Sequence, residues 1–90
     1  MNHQLTWYSV TAERSFLRAL GGGCRAPIAA LGSVEGDILR LDGMVANVHT
    51  REILRAAETG SALNAEEVGV KLANRLLSMG ASDFITEARA

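Results

Sequence analysis

Glu35-Gly36-Asp37-Ile38-Leu39-Arg40-Leu41-Asp42-Gly43-Met44-Val45-Ala46-Asn47 is the stretch that decides the fold. Its first three residues are a turn signal. From Ile38 to Asn47 the residues then alternate, with Leu39, Leu41, Gly43 and Val45 on one face and Arg40 and Asp42 on the other. A period of two marks a strand with one buried face. Upstream of the turn, the apolar run Ile28-Ala29-Ala30-Leu31 within Pro27 to Val34 predicts the partner strand. Downstream, Asn47-Val48-His49-Thr50 can close a second hairpin. Arg51 to Glu58 then reads as a third strand, with Ile53, Leu54, Ala56 and Ala57 apolar and Arg51 and Arg55 facing solvent, although its helix formers leave the period ambiguous. Links this short require antiparallel pairing.

The flanks carry a different period. Leu5, Tyr8, Ala12, Phe16 and Ala19/Leu20 recur at three- and four-residue spacing, which predicts an amphipathic helix over Leu5 to Leu20 that stops at Gly21. Glu13, Arg14 and Arg18 lie mostly off that stripe, and Glu13 is a candidate to pair locally or with another domain. Trp7 and Tyr8 cannot both lie on the stripe, so one of them marks an outer surface. Beyond Gly60, Asn64 is the predicted N-cap, with Glu67 three residues on, close to a capping box. Val68, Leu72, Leu76 and Met79 follow at helical spacing, and Gly80 ends the helix. Ser82 opens a short last helix with Phe84, Ile85 and Ala88. The predicted fold is α+β: a three-stranded antiparallel sheet with helices packed on one face, in the order α-β-β-β-α-α, residues 1–90 forming a single domain.

Bulk composition narrows the function classes. The 90 residues carry nine basic and ten acidic side chains with a net charge of -1, and no basic run, so nucleic acid and membrane surfaces are not implied partners. One cysteine excludes an intrachain disulfide, and two histidines, His3 and His49, make a metal site a poor expectation. No apolar stretch approaches the length of a membrane span and the N-terminus lacks a signal-peptide layout, so a reducing, cytoplasmic setting is expected. With aromatics at 4%, the core must be built from Leu, Val, Ile and Ala.

The single cysteine has unusual surroundings: Gly21-Gly22-Gly23-Cys24-Arg25-Ala26-Pro27. Three glycines clear the approach to the sulfur. Pro27 fixes its own φ, pushes Ala26 towards extended geometry and starts the strand. A lone cysteine is more often a small buried hydrophobe, and a glycine run after a helix is often only a cap, so composition alone favours a structural thiol.

The wider pattern shifts that balance. Val10-Thr11-Ala12-Glu13-Arg14-Ser15-Phe16, Leu20, Gly22-Gly23-Cys24 and Pro27-Ile28 resemble the cofactor-attachment signature of the hydroxymethylbilane synthase (porphobilinogen deaminase) family. The likeness continues through Glu35-Gly36-Asp37, Ala65-Glu66-Glu67-Val68-Gly69, Leu76-Leu77 and Gly80-Ala81. It implies the third, C-terminal domain of a three-domain transferase of tetrapyrrole (haem) biosynthesis. In that family the motif cysteine is joined by a thioether to a dipyrromethane, on which four porphobilinogen units are polymerised to hydroxymethylbilane.

By this resemblance Cys24 is the attachment nucleophile, and Gly22, Gly23 and Arg25 belong to its cofactor-binding loop. Loss of ammonia from porphobilinogen leaves an electrophilic methylene that a soft thiolate attacks without a metal, and a neighbouring cation such as Arg25 favours the thiolate. The family's catalytic aspartate and cofactor-holding arginines belong to the first two domains. The resemblance therefore implies that domains 1 and 2 and the growing pyrrole chain are the partners, that no catalytic residue lies in this chain, and that the 90 residues alone are inactive and lack the cofactor. The sequence departs from the family's usual residues at Arg25, Ala26 and Ala29, and Asn47-Val48-His49-Thr50 replaces a Pro-Asp-Gly turn, read as neutral change on an exposed loop. Arg14 and Arg18 read either as a solvated helix face or, for Arg14, as a bridge to a neighbouring domain; His49 receives no role, and Glu66 and Glu67 suit a helix start. The rival reading is a stand-alone α+β interaction module with an unmodified thiol.

Overall fold

The computed structural model describes residues 3–21 and 26–89, with side chains described within 7–21 and 26–85. Its elements are α1 (His3–Ala19), β1 (Ile28–Glu35), β2 (Ile38–Ala46), β3 (Ile53–Ser61), α2 (Ala65–Leu76) and α3 (Ser82–Arg89). The sheet has the order β1-β2-β3 and both pairings are antiparallel, which bears out the predicted α+β meander. Gly36, at φ 62°, takes the first position of the two-residue β1–β2 turn, where a side chain would be strained.

The alternation in β2 sorts the sheet into two faces. Leu39, Leu41 and Val45 are fully buried against the helices, while Ile38 and Arg40 on the other face are exposed. Register places Ala30, Gly43 and Ala56 in one row across the covered face. Gly43 has no side chain because a Cβ there would lie 2.8 Å from both the Phe16 ring and a Leu72 methyl. Phe16 from α1 and Leu72 from α2 thus meet directly over the middle of the central strand, with Ala12, Val68, Leu76, Ala81, Phe84 and Ile85 completing the core.

The two long helices touch backbone to backbone. A Cβ on Gly69 would come within 2.5 Å of the Ala12 carbonyl oxygen and 2.8 Å of the Phe16 nitrogen. Beside this crossing the buried Ser15 hydroxyl donates to the Glu66 carbonyl at 2.6 Å, which satisfies a polar side chain that the core would otherwise strand.

Several local expectations are corrected. α1 starts at His3, so that histidine lies within the helix, and it ends at Ala19. β2 starts at Ile38 as predicted; the other strand limits differ by one to three residues, and β3 runs to Ser61. Arg51 is not a strand residue but sits in the β2–β3 turn at φ 66°. Asn64 makes no side-chain cap; Ser61 instead accepts from the Leu63 N–H at 3.3 Å and starts a short 3-10 turn that leads into α2. Met79 leaves the core stripe and is 45% exposed, because Gly80 at φ 117° bends the chain between α2 and α3. Trp7 is the outward ring of its pair, 62% exposed, with Tyr8 half-buried beneath it.

Two measurements check this packing. Gly69→Ala gains about 1 kcal/mol of helix propensity, but forcing a methyl into backbone costs about 3 kcal/mol. The clash wins: thermal unfolding should show Tm lower by roughly 10 °C, and an unchanged or higher Tm would mean the helices separate without cost. At position 51 the left-handed backbone costs an arginine about 1 kcal/mol, so Arg51→Gly should raise Tm by roughly 3 °C after the entropy of the freer unfolded chain is subtracted.

Candidate functional site

Gly22, Gly23, Cys24 and Arg25 lie outside the described residues, so the site is defined by what holds its two stems. On the first side, the Leu20 N–H donates to the Phe16 carbonyl at 3.1 Å and the Gly21 N–H to the Arg18 carbonyl at 3.1 Å. Leu20 is 4% exposed, and Gly21 takes φ 103°, which ends the helix where the sequence places its stop. On the second side, Ala26 is 6% exposed and the Pro27 carbonyl accepts from the Ala46 N–H at 2.9 Å. Both stems are therefore anchored in the core, and only four residues separate Gly21 from Ala26.

The turn at the end of β2 belongs to the same end of the sheet. Continuing the β1–β2 register two positions past Ile28↔Val45 sets Asn47 opposite Ala26. Asn47 is 3% exposed, which corrects the reading of this hairpin as wholly surface. Its Oδ1 accepts from the His49 N–H at 2.8 Å and the Thr50 N–H at 3.1 Å. Its backbone N–H donates to the Glu52 carbonyl at 2.8 Å, and its carbonyl accepts from Arg51 at 2.9 Å. A side-chain amide thus does the work of a backbone turn, and one residue organises the whole of 47–52. His49 itself is exposed and takes part through its backbone.

The remaining members of the quoted signature have structural tasks. Ala12 and Phe16 are core, and Ser15 joins α1 to α2. Glu13 pairs with neither arginine; its Oε2 accepts from the backbone N–H of Gly32 at 2.7 Å, fastening α1 to β1. The two elements that carry the stems are thereby tied to each other. Arg14 is exposed. Arg18 lies 3.8 Å from Glu66 with both side chains about three-quarters exposed, a pair that contributes little.

On the open face of the sheet, Arg40 clasps Asp42 through two nitrogens at 3.0–3.3 Å, and these bonds hold the Asp42 carboxyl below the usual carboxylate range. A shallow groove of about 580 Å³ runs over Ala29, Met44 and Ala57 beside them, and neither stem of the cysteine loop lines it. Among the described residues no group of three side chains is placed to hold a metal ion, and no helix is long and apolar enough to cross a membrane.

Residues 7–78 match the family described as porphobilinogen deaminase, C-terminal domain. Porphobilinogen deaminase of Moorella thermoacetica is 48% identical over 90 residues, all of this chain and 29% of that protein. That of Pelotomaculum thermopropionicum is 42% identical over 89 residues, 99% of the chain and 28% of the protein. The Desulforudis audaxviator protein is 42% identical over 90 residues, 29% of its length. The chain thus spans under a third of the length of these relatives, and the matched region runs from the exposed Trp7 through the cysteine loop, the whole sheet and α2. By sequence, the chain belongs to the family of porphobilinogen deaminase C-terminal domains.

Proposed function

We propose that this single domain carries the covalent primer of a porphobilinogen-polymerising transferase, with Cys24 as the thioether tether. The observation that carries the reading is Gly22-Gly23-Cys24-Arg25-Ala26-Pro27-Ile28 placed between the C-terminus of α1 and the start of β1, in a chain 48% identical to a porphobilinogen deaminase. The residue types fit a dipyrromethane: a thioether needs one sulfur nucleophile, and Cys24 is the chain's only thiol. When bound, the dipyrromethane supplies the pyrrole terminus to which each porphobilinogen is joined.

This chain's own residues then have limited tasks. The Cys24 thiol gives up its proton and adds to the methylene left when the carbon–nitrogen bond of porphobilinogen breaks and ammonia departs, with Arg25 the neighbouring cation that favours thiolate. Gly22 and Gly23 leave the approach clear of side chains. The fastened stems, Leu20 on one side and Ala26 with Pro27 on the other, tie the residues that flank the Cys24 segment to the core. Acid–base chemistry and recognition of the pyrrole acids fall to the rest of the enzyme, with Arg14 on the outer face of α1 available to bridge to it. The 90 residues alone turn over no porphobilinogen in this reading, and the thiol stays free in a reducing cytoplasm.

Intact mass tests the tether. Full-length protein should carry a dipyrromethane-sized increment that disappears in Cys24→Ser, while the Ser variant stays folded. An unmodified full-length protein with a freely titrating thiol would instead support an interaction module. The turn beside the stem has its own test. Asn47→Ala, which removes the acceptor for two N–H groups at a cost of about 1–2 kcal/mol, should change the alkylation rate of Cys24 in the folded 90-residue chain several-fold. Asn47→Asp, which keeps the acceptor, should restore it; equal rates in all three proteins would separate the turn from the thiol.

A further inference from the structure

A three-stranded sheet has two edges, and strand addition by another molecule is the hazard they present. The hydrogen bonds at the site end show which backbone groups face outward. Pro27 accepts from Ala46, so bonded pairs recur at every second residue of β1, and Ile28, Ala30, Gly32 and Val34 point their N–H and C=O groups away from β2. Asn47 donates to Glu52, and the same alternation turns Ile53, Arg55, Ala57 and Thr59 of β3 outward.

Near the middle of each edge one of these outward groups is already taken by a charged side chain from a helix. Glu13 of α1 accepts from the Gly32 N–H at 2.7 Å. Arg75 of α2 donates to the Ala57 carbonyl at 3.1 Å and lies 3.5 Å from the Glu58 carboxylate, which steadies it. Gly32 lets α1 come this near, since a Cβ there would lie 3.2 Å from Ser9 backbone atoms. One edge is closed by an anion on a donor and the other by a cation on an acceptor. Each occupies the group that an incoming strand would use and leaves a charge that the strand would have to desolvate.

We infer that Glu13 and Arg75 are edge guards that keep a second copy of this chain from adding its β3 to β1, or its β1 to β3. Such head-to-tail pairing leaves a free edge on each added copy, so its product extends beyond a dimer. This role is independent of any chemistry at Cys24.

The test is sedimentation velocity and amide exchange on the 90-residue chain, with far-UV circular dichroism to establish folding. In Glu13→Ala the Gly32 amide should exchange roughly tenfold faster with the circular dichroism unchanged. Glu13→Gln keeps an acceptor and should retain most of that protection. Glu13→Ala/Arg75→Ala should form concentration-dependent species larger than dimers at about 100 µM, where the parent chain sediments as a monomer. If the double variant loses its fold, the single variants decide, since each frees one edge and two freed edges of the same kind should pair into a dimer and no further. Folded variants that stay monomeric at that concentration, or a Gly32 amide as protected in Glu13→Ala as in the parent, would overturn the inference.

Discussion

The backbone contact between α1 and α2 at Gly69 governs the rest of the fold. A three-stranded meander with one covered face cannot bury enough surface alone, and in this small domain the cover must be tight because so few large side chains are available. With aromatics at 4% of the chain, Phe16 is the one large ring fully inside. The structure compensates by removing side chains where elements cross: Gly69 between the helices, Gly43 beneath them. Close approach of backbones replaces bulk, and the fully buried leucines Leu39, Leu41, Leu72 and Leu76 fill what remains.

This economy also explains why the quoted family signature is longer than a thiol needs. Of its residues, Ala12 and Phe16 build the core, Ser15 bonds α1 to α2 and Glu13 fastens β1. A run that reads as one chemical motif is chiefly a description of how α1 seats on the sheet and on α2. The stems of the cysteine segment follow directly on that helix and lead directly into that strand.

The sheet was legible because Leu39, Leu41, Gly43 and Val45 follow the strand period without interruption and short links leave only antiparallel pairing. The cysteine loop was legible as a motif, through residue types at fixed spacing. What escaped depended on contacts distant in the chain or on competing local bonds. Asn64 looked like an N-cap, but the Ser61 hydroxyl closes a turn first and hands the chain on already helical. Met79 kept helical spacing on paper, yet the positive φ of Gly80 rotates it outward. Asn47 resembled an ordinary turn residue, and nothing in its neighbours reveals that register buries it opposite Ala26. Glycine at 69, unfavourable in a helix interior by about 1 kcal/mol, was the one available hint of the helix crossing.

The Ser15–Glu66 bond joins residues 51 apart in the chain, whereas both hairpins join near neighbours. Local pairings form early and distant ones late. On the ribosome this order becomes literal, for α2 must emerge before α1 has its full seat. At ordinary synthesis speeds the interval between residue 24 and the end of α2 lasts roughly 3–10 s. For that time α1 has been made but the partner that completes its seat has not.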